Sequence, residues 1–417
     1  MNFKKIGMLI FILMHVFFLY SGQEEIDQER ILKLEIGDKS LKGKLVSVYP
    51  GKIFAARAGK EIPFEKMIED MQRCQFVYIG ETHDSMLIHD IQARIIKSLQ
   101  ERNRSIAVGV EMFNVNLKEK LNKWSLGILT EEEFIREAQW YINWNFNFDY
   151  YSEILRFIKD EKIPLYPINA PREIITKIRK EGWEALSDEE KKIVPEPDLS
   201  NEDHRILMRA TFENIDMPPQ MKGMGLHMMF DGLYRAQVAW DEVMAANTVK
   251  AWKQENRKVV VLAGSGHLLY NLGINRIVSE EVGKESRTVI CVEISKGEES
   301  VQVSRSLSDY IWGIPEEEKP VYPSFGLALK KINGLENLVL ERKPISGVAV
   351  NYDFEKGDVI LYVDGNSFND INDLRLYLSR FSWGDEVNFR ILRDGEEKEV
   401  QLLCIYTEDL KKDKLEE

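Results

Sequence analysis

Cysteine is scarce in this chain of 417 residues, and its scarcity excludes two kinds of site. The three cysteines are Cys74, Cys291 and Cys404, which lie far apart and are odd in number. This spacing argues against a disulfide framework and against a cysteine-based zinc site. Each cysteine lies in an apolar, strand-like stretch, so we interpret all three as small buried hydrophobic residues.

Clustered positive charge is missing as well. The formal net charge is −13, and the sequence contains no block of lysines and arginines. Because phosphate binding requires clustered Lys and Arg, we expect no nucleic-acid partner. The sequence also lacks His-Glu-x-x-His, the compact helical motif of many metalloproteases.

Long apolar runs are absent except at the N-terminus. Lys4 and Lys5 precede an apolar stretch from Ile6 to about Tyr20. A short apolar stretch after basic residues is typical of a secretory signal peptide, which we assign to residues 1–22. An uncleaved anchor is the alternative. We expect an exported mature chain with no stable membrane span, and no cysteine is available there for lipid attachment.

Two strand-like runs end in the same Gly-x-x-His pattern, the most informative feature of the sequence. Such short apolar runs are typical of strands buried on both faces of a parallel sheet. Glycine at the end of a strand permits a sharp turn or a close approach to a ligand. The two runs are Phe76–Ile79, followed by Gly80-Glu81-Thr82-His83, and Val259–Ala263, followed by Gly264-Ser265-Gly266-His267.

Two further strand-like runs bring polar residues to the same predicted edge. Residues 106–110 are followed by Glu111, and residues 163–168 are followed by Asn169 and then Arg172. In open α/β sheets, ligands bind outside the carboxyl ends of the strands. If the four strands are parallel neighbours, these side chains converge with His83 and His267. They could hold a metal ion or act as an acid/base pair; the alternative is that the histidines only cap helices.

The remaining pattern predicts a mostly parallel α/β sheet with flanking helices, followed by a smaller β-rich module. Residues 184–222 interrupt the α/β pattern and are interpreted as an insertion of short helices. The predicted boundaries are a charged tether over 23–45, the α/β domain over 46–304, an acidic linker over 305–321, the β-rich module over 322–406 and a charged tail over 407–417.

Three other groups of residues are candidates for a binding pocket. Tyr234, Gln237 and Asp241 are spaced to lie on one face of a helix, and a tyrosine there could ligate ferric iron. His227 lies among methionines, which line binding grooves or loosely fill cores. Trp144 belongs to an aromatic cluster interleaved with asparagines, a composition that suits a cavity wall or an interface.

These motifs together resemble the ChaN-like family of exported bacterial haem-binding, iron-uptake proteins. The resemblance covers roughly residues 60–295. It rests on the following matches: Gly80-Glu81-x-His83, His89, Gln92, Glu111-Met112-Phe113, Trp140, Trp144, Tyr150, Asn169-Ala170-Pro171-Arg172-Glu173, Gln237-x-x-Trp240-Asp241-Glu242-x-Met244-Ala245 and Ala263-Gly264-Ser265-Gly266-His267. The wider superfamily includes the Tiki metalloproteases, the TraB-like proteins and the erythromycin esterases. Proteins of this family are often lipoproteins, and this sequence departs from them in lacking a cysteine for lipid attachment; we therefore expect a soluble periplasmic protein or one tethered in another way.

The C-terminal module resembles the PDZ domains appended to exported bacterial proteases. Gly326 and Leu327 occupy the position of the loop that binds a peptide carboxylate. Residues 355–365 and 392–395 complete the pattern, whereas residues 345–354 replace the usual stretch of small residues. PDZ domains bind peptide C-termini by strand addition, so the resemblance implies a peptide or protein partner.

Three functions follow as hypotheses. In the first, the protein binds haem, and His227, Tyr234, His267, Arg172 and Trp144 supply axial ligands, propionate contacts and an aromatic wall. In the second, it is a metal-dependent hydrolase with His83, Glu111 and His267 as ligands and with Glu81 or Glu111 as general base. Gly80, Asn169, Gln237, Asp241 and Gly264 line the site in either case. The third hypothesis is an interaction scaffold without catalysis.

Overall fold

The structure, a computed structural model, describes residues 28–103, 105–213 and 226–406, which fall into two compact units. The first unit contains the described residues up to His83, Leu87–Ile128 and Glu153–Glu316. The second contains Asp84–Met86, Leu129–Ser152 and the described residues from Glu317 onward. The predicted signal peptide (1–22) and charged tail (407–417) lie outside the described residues.

The strands alternate with helices along most of the chain. The strands are β1 (Leu45–Val48), β2 (Ile53–Ala55), β3 (Lys60–Ile62), β4 (Phe76–Glu81), β5 (Ile106–Asn114), β6 (Leu165–Asn169), β7 (Lys258–Gly264), β8 (Ser286–Ile294), β9 (Val301–Ser304), β10 (Tyr310–Pro315), β11 (Leu329–Lys331), β12 (Leu338–Leu340), β13 (Val359–Val363), β14 (Glu386–Arg393) and β15 (Glu396–Leu403).

The helices of the α/β part flank its sheet and those of the predicted insertion follow β6. The helices are α1 (Gln28–Leu32), α2 (Phe64–Met71), α3 (Met86–Asn103), α4 (Lys118–Ser125), α5 (Glu131–Glu137), α6 (Trp140–Asn143), α7 (Asp149–Asp160), α8 (Arg172–Glu181), α9 (Asp188–Ile193), α10 (Glu202–Glu213), α11 (Leu226–Glu255), α12 (Ile274–Val282) and α13 (Ile371–Leu378).

The first unit is built on an eight-stranded sheet with the order β3-β2-β10-β8-β4-β7-β5-β6. The strands β4, β7, β5 and β6 are consecutive and parallel, as the sequence predicts. Every residue of β4 and of β7 is buried, which explains why these two strands are apolar without alternation. The carboxyl ends of all four therefore share one edge.

Two segments at the borders of the α/β domain differ from the predicted boundaries. Residues 305–321 were expected to form a linker, but β10 pairs in parallel with β8 because Ile311 and Ile314 bury their side chains in the sheet. The predicted tether also contacts this domain: Ile36 is buried, and the amide of Gly37 donates to the Asp203 carboxylate at 2.9 Å. In both segments, a few apolar side chains among charged neighbours pack into the core of the α/β domain.

The second unit contains a five-stranded antiparallel sheet with the order β11-β12-β13-β14-β15. Asp394 and Gly395 both have positive φ and join β14 to β15, as their turn pattern predicts. Helix α13 begins at the N-cap Asp370, whose side chain accepts from the amides of Asn372 and Asp373. The module therefore has the predicted β-rich architecture with one helix.

The segment Leu129–Ser152 belongs to this second unit rather than to the α/β sheet. The amide of Tyr141 donates to Asn372 Oδ1 at 2.9 Å, and Arg375 donates to the carbonyl of Tyr141. Asn147 Nδ2 donates to the carbonyl of Ser379 at 2.9 Å. One face of α13 is therefore covered by a segment from the middle of the chain.

Candidate functional site

The first Gly-x-x-His pattern forms a buried network of hydrogen bonds. Glu81 is the last residue of β4, and its Oε1 atom lies 2.8 Å from His83 Nδ1. Its Oε2 atom accepts from Gln92 Nε2 at 2.7 Å, and His89 Nδ1 lies 3.0 Å from Gln92 Oε1. Burial by itself raises the pKa of Glu81, but the hydrogen bond from His83 and the charge of His89 lower it to about 2.

The second pattern places His267 against two acidic side chains. His267 Nδ1 lies 2.5 Å from Asp241 Oδ1 and 2.8 Å from Gln237 Nε2. Its other nitrogen, Nε2, lies 3.6 Å from Glu111 Oε1. Burial by itself lowers the pKa of His267, but Glu111 and Asp241 raise it to about 9. The imidazole is therefore held in its protonated form at neutral pH.

Glu111 joins the two patterns. It lies on β5, beside β7, and its Oε2 atom accepts from the amide of Gly264 at 2.6 Å. Its carbonyl accepts from Asn169 Nδ2 at 2.9 Å. Parallel pairing thus brings the strand ends that carry Glu111, Asn169 and His267 to one place, as the sequence predicts.

The two glycines are required by close packing, since neither has the positive φ that would favour glycine. A Cβ atom at Gly264 would lie 3.1 Å from His83 Cε1 and 3.5 Å from Glu111 Oε2. A Cβ atom at Gly80 would lie 2.8 Å from Ser265 Oγ. Gly264 is therefore the point on which His83 and Glu111 converge, and a larger residue there would displace them.

Both histidines present the same kind of arrangement. In each, Nδ1 contacts a carboxylate, Glu81 for His83 and Asp241 for His267. A carboxylate at Nδ1 fixes the tautomer and the ring orientation of the imidazole, and in His267 the second nitrogen, Nε2, faces Glu111. The arrangement can ligate iron or another metal, or it can transfer a proton.

His204 is a site residue that the sequence reasoning missed. It lies on α10, within the predicted insertion, and its Nε2 atom is 3.5 Å from Asp241 Oδ2. Both ring nitrogens and Asp241 Oδ2 are buried with no hydrogen-bond partner among the described residues. Burial lowers the pKa of His204. The scarcity of histidine, six in the chain, is the signal that could have identified it.

The predicted haem contacts belong to several different elements of the two units. Tyr234 follows the helical stripe on α11, but it is buried and its hydroxyl donates to the carbonyl of Asn201 at 3.1 Å. Burial raises the pKa of Tyr234 to about 12, which disfavours an iron-binding phenolate. Arg172 begins α8 close after β6, and burial lowers the pKa of its guanidinium. Trp144 is buried in the second unit, and the side chain of His227 lies outside the described residues.

The predicted metal ligands His83, Glu111 and His267 lie at the same strand edge. Within residues 28–103, 105–213 and 226–406, however, no group of three or more His, Cys, Asp or Glu side chains is arranged to hold a metal ion. The three-ligand metal site stays a prediction. A metal there would require the side chains to move from the positions that the structure gives them.

The predicted peptide loop lies in the second unit. Gly326 has a φ of +72°, and a Cβ atom there would lie 1.8 Å from the carbonyl oxygen of Ser346. The loop is fastened by two backbone bonds: Val348 donates to the carbonyl of Ser324 at 2.8 Å, and Ala349 donates to that of Phe325 at 3.1 Å. Only glycine fits this position, so the backbone of the loop is fixed.

The fold and the site define an α/β protein with histidine–carboxylate pairs at the carboxyl edge of its sheet, joined to a PDZ domain. A family model described as haem-binding uptake, Tiki superfamily, ChaN matches residues 67–278, and a PDZ domain model matches residues 326–403. The chain belongs to this haem-binding uptake family. The resemblance inferred from the sequence is thereby confirmed, as are the fold class and the PDZ module.

Individual relatives are distant. A solved structure described as cofacial heme binding to ChaN of Campylobacter jejuni is 19% identical, with a TM-score of 0.50; the match covers 62% of this chain and 95% of that one. An erythromycin esterase in its open conformation is 12% identical, with a TM-score of 0.36, over 62% of this chain and 83% of that one. Identities this low show the fold alone, and the second similarity is too weak for any inference.

Among curated proteins, RETICULATA-RELATED 5 of the chloroplast of Arabidopsis thaliana is 20% identical over 302 residues. The match includes 69% of this chain but only 39% of that relative's length. Across the part of the chain that the structure covers, no helix is long and apolar enough to cross a membrane.

Proposed function

We propose that the protein binds haem at the carboxyl edge of its α/β sheet and acts in iron acquisition after export. Membership in the haem-binding uptake family supports this. The observation that carries the proposal is His267, whose Nδ1 is held by Asp241 at 2.5 Å; its other nitrogen, Nε2, lies 3.6 Å from Glu111 and is the nitrogen that would ligate iron. Haem would supply an iron centre for this imidazole, and Arg172 is the basic group for a propionate.

The protonation of His267 gives this proposal a distinctive property. Because Glu111 and Asp241 hold the pKa of His267 at about 9, iron ligation through Nε2 has to release its proton near neutral pH. Haem affinity should therefore rise as the pH increases towards 9. A Tyr234 phenolate would also have to release a proton, but because the pKa of Tyr234 is about 12, its affinity would keep rising above pH 9, where that of His267 levels off.

The test is a haemin titration of the full-length protein, followed by its Soret band between pH 6 and 9. His267→Ala should abolish most of the binding, whereas Tyr234→Phe should leave it nearly unchanged. Circular dichroism of both variants controls for folding. Full binding by His267→Ala with loss in Tyr234→Phe would reverse the assignment of the axial ligand. No Soret shift in the unmodified protein would refute haem binding itself.

Export to the periplasm belongs to the same proposal and rests on the N-terminal residues. Lys4 and Lys5 precede the apolar stretch that ends near Tyr20. A signal peptidase should therefore remove residues 1–22. N-terminal sequencing of the exported protein tests this, and recovery of Met1 would contradict it.

The PDZ module is proposed to capture the C-terminus of a partner peptide. The observation behind it is the fixed loop at Gly326, followed by β11 at the edge of its sheet. Loop amides that bind a carboxylate and an open strand edge are the two elements of strand-addition recognition.

A metal-dependent hydrolase is the second candidate, and one observation favours it. His83 and His267 each have a carboxylate at Nδ1, Glu81 and Asp241 respectively, an arrangement typical of metal ligands supported by hydrogen-bonded carboxylates. In this case Glu111 or Glu81 would serve as ligand or general base. Metal analysis of the untreated protein, with peptide and ester substrates, tests it.

These measurements also separate the third candidate, a scaffold without catalysis. Stoichiometric zinc or manganese together with hydrolysis that is lost in Glu111→Gln would support the hydrolase. Haemin uptake without hydrolysis supports the leading proposal. If the folded protein binds neither haemin nor a metal ion, the result supports the scaffold without catalysis.

A further inference from the structure

The open edge of the PDZ sheet carries unpaired positive charge in a strongly acidic protein. Strand β11 pairs on one side with β12 and has no partner strand on its other side among the described residues. Lys330 and Lys331 lie on β11, and in the described part of the chain neither side chain has an ion-pair or hydrogen-bond partner. The net charge of −13 makes this local excess unusual.

The register shows which backbone groups are available on β11. Glu341 donates its amide to the carbonyl of Ala328 at 2.8 Å, and Lys330 lies opposite Val339. Hydrogen-bonding direction alternates along an antiparallel strand, so the amides and carbonyls of Leu329 and Lys331 face outward. An added strand would therefore pair with these two residues.

The lysine side chains flank that added strand. Successive residues of a strand point to opposite faces, so Lys330 and Lys331 lie one on each face of the edge. The residues of an incoming strand alternate in the same way. Two neighbouring acidic residues in the peptide would then each meet one lysine.

The loop at the start of β11 supplies the other half of the recognition. Leu327 is buried beside Gly326, and the Phe325 ring lies 6.2 Å from that of Phe381, just beyond α13. The basic residue Arg342 follows Glu341, whose amide donates to the carbonyl of Ala328, the residue after Leu327. Apolar side chains next to a basic group suit a hydrophobic terminal residue and its carboxylate.

We infer that the PDZ module prefers peptides that carry acidic residues three and four positions before their C-terminal residue, opposite Lys330 and Lys331. This inference rests on the proposed role of the module as a receptor for peptide C-termini. The charge preference itself rests on Lys330 and Lys331.

Fluorescence anisotropy on the full-length protein tests the inference with three labelled peptides. The first ends in Glu-Asp-Ala-Ala-Phe with a free carboxylate, which places its acidic residues opposite Lys330 and Lys331; the second replaces Glu-Asp by Lys-Lys, and the third is the first peptide as its C-terminal amide. The acidic peptide should bind roughly tenfold more tightly than the lysine peptide, because it forms two exposed ion pairs whose contributions to the binding free energy add. The preference should shrink in 1 M salt because exposed charges are screened.

A double charge reversal provides the matched test. Lys330→Glu with Lys331→Glu should weaken binding of the acidic peptide and strengthen that of the lysine peptide. Lys284→Glu with Lys356→Glu changes the net charge equally at two exposed positions and should leave both affinities unchanged. Circular dichroism confirms that each variant is folded.

The failures of the two ideas differ. Equal affinity for the acidic and lysine peptides, with the amide bound far more weakly, would overturn the charge preference and leave C-terminal capture intact. Equal binding of the amide, or no binding of any peptide, would overturn the receptor role and the inference together.

Discussion

Replacing Asp241 by asparagine should remove most of the pH-dependent stability that His267 contributes. The pKa of His267 is about 9 in the folded protein against an ordinary value of 6.5. Since the folded-state pKa is raised, the contribution is fully present below pH 6.5 and is lost as the pH rises through 9. The difference between the two pKa values of His267 corresponds to about 3 kcal/mol of unfolding free energy.

Asp241→Asn keeps a hydrogen-bond acceptor near His267 but removes the charge at 2.5 Å, leaving Glu111 at 3.6 Å. We expect unfolding free energy at pH 6 to fall by about 3 kcal/mol, as for a broken buried charge pair. The unfolding free energy of the variant should depend less on pH between 6.5 and 9 than that of the unmodified protein. The pKa of the His267 imidazole, measured by NMR, should fall.

Urea unfolding at pH 6, 8 and 9.5, with NMR titration of the ring, measures both effects. Asp231→Asn is the matched control on the same helix: it breaks an exposed ion pair with Arg205 and should cost less than about 1 kcal/mol. An unchanged pH profile and imidazole pKa in Asp241→Asn would show that Asp241 does not set the charge of His267.

Three further results are expected. Gly264→Ala, whose Cβ atom would lie 3.1 Å from His83 Cε1, should weaken haemin binding and cost about 1–3 kcal/mol in urea unfolding; unchanged affinity would contradict the convergence at Gly264. Asn372→Ala leaves the buried amide of Tyr141 without its partner and should destabilise the second unit by about 1–3 kcal/mol, which proteolysis of the segment 129–152 would detect. Glu81→Gln should reduce the loss of unfolding free energy on acidification. The pKa of Glu81 is about 2 against an ordinary 4.5, so its contribution to stability is present above pH 4.5 and is lost as the pH falls towards 2. An unchanged dependence of stability on acid pH in the variant would argue against this.

The four parallel strands and the Gly-x-x-His site were predictable because local sequence determines them. Uninterrupted apolar runs form strands buried on both faces, and a parallel sheet places their ends at one edge. The convergence of Glu111 and His267 followed from that topology alone. The PDZ module was predictable for the same reason, since its alternating strands and turn residues lie in one continuous stretch.

Contacts between distant segments were not predictable from local pattern. His204 lies on a helix of the insertion, and nothing in its neighbourhood indicates that it packs 3.5 Å from Asp241. The charged residues around Ile36 concealed the burial of that side chain, and the acidic residues after β10 concealed a sheet strand. A pattern averaged over a window cannot show which single residue is buried.

The sequence by itself determined which residues end the strands and which residue types are available for chemistry. The tertiary structure decided how they are used. It gave His83 and His267 each a carboxylate at Nδ1, and it bound the Tyr234 hydroxyl to a backbone carbonyl. It also placed the aromatic segment 129–152 against α13 of the PDZ module. Hydrogen-bond partners and burial depend on packing between segments far apart in the chain, and these set the charge of each site residue.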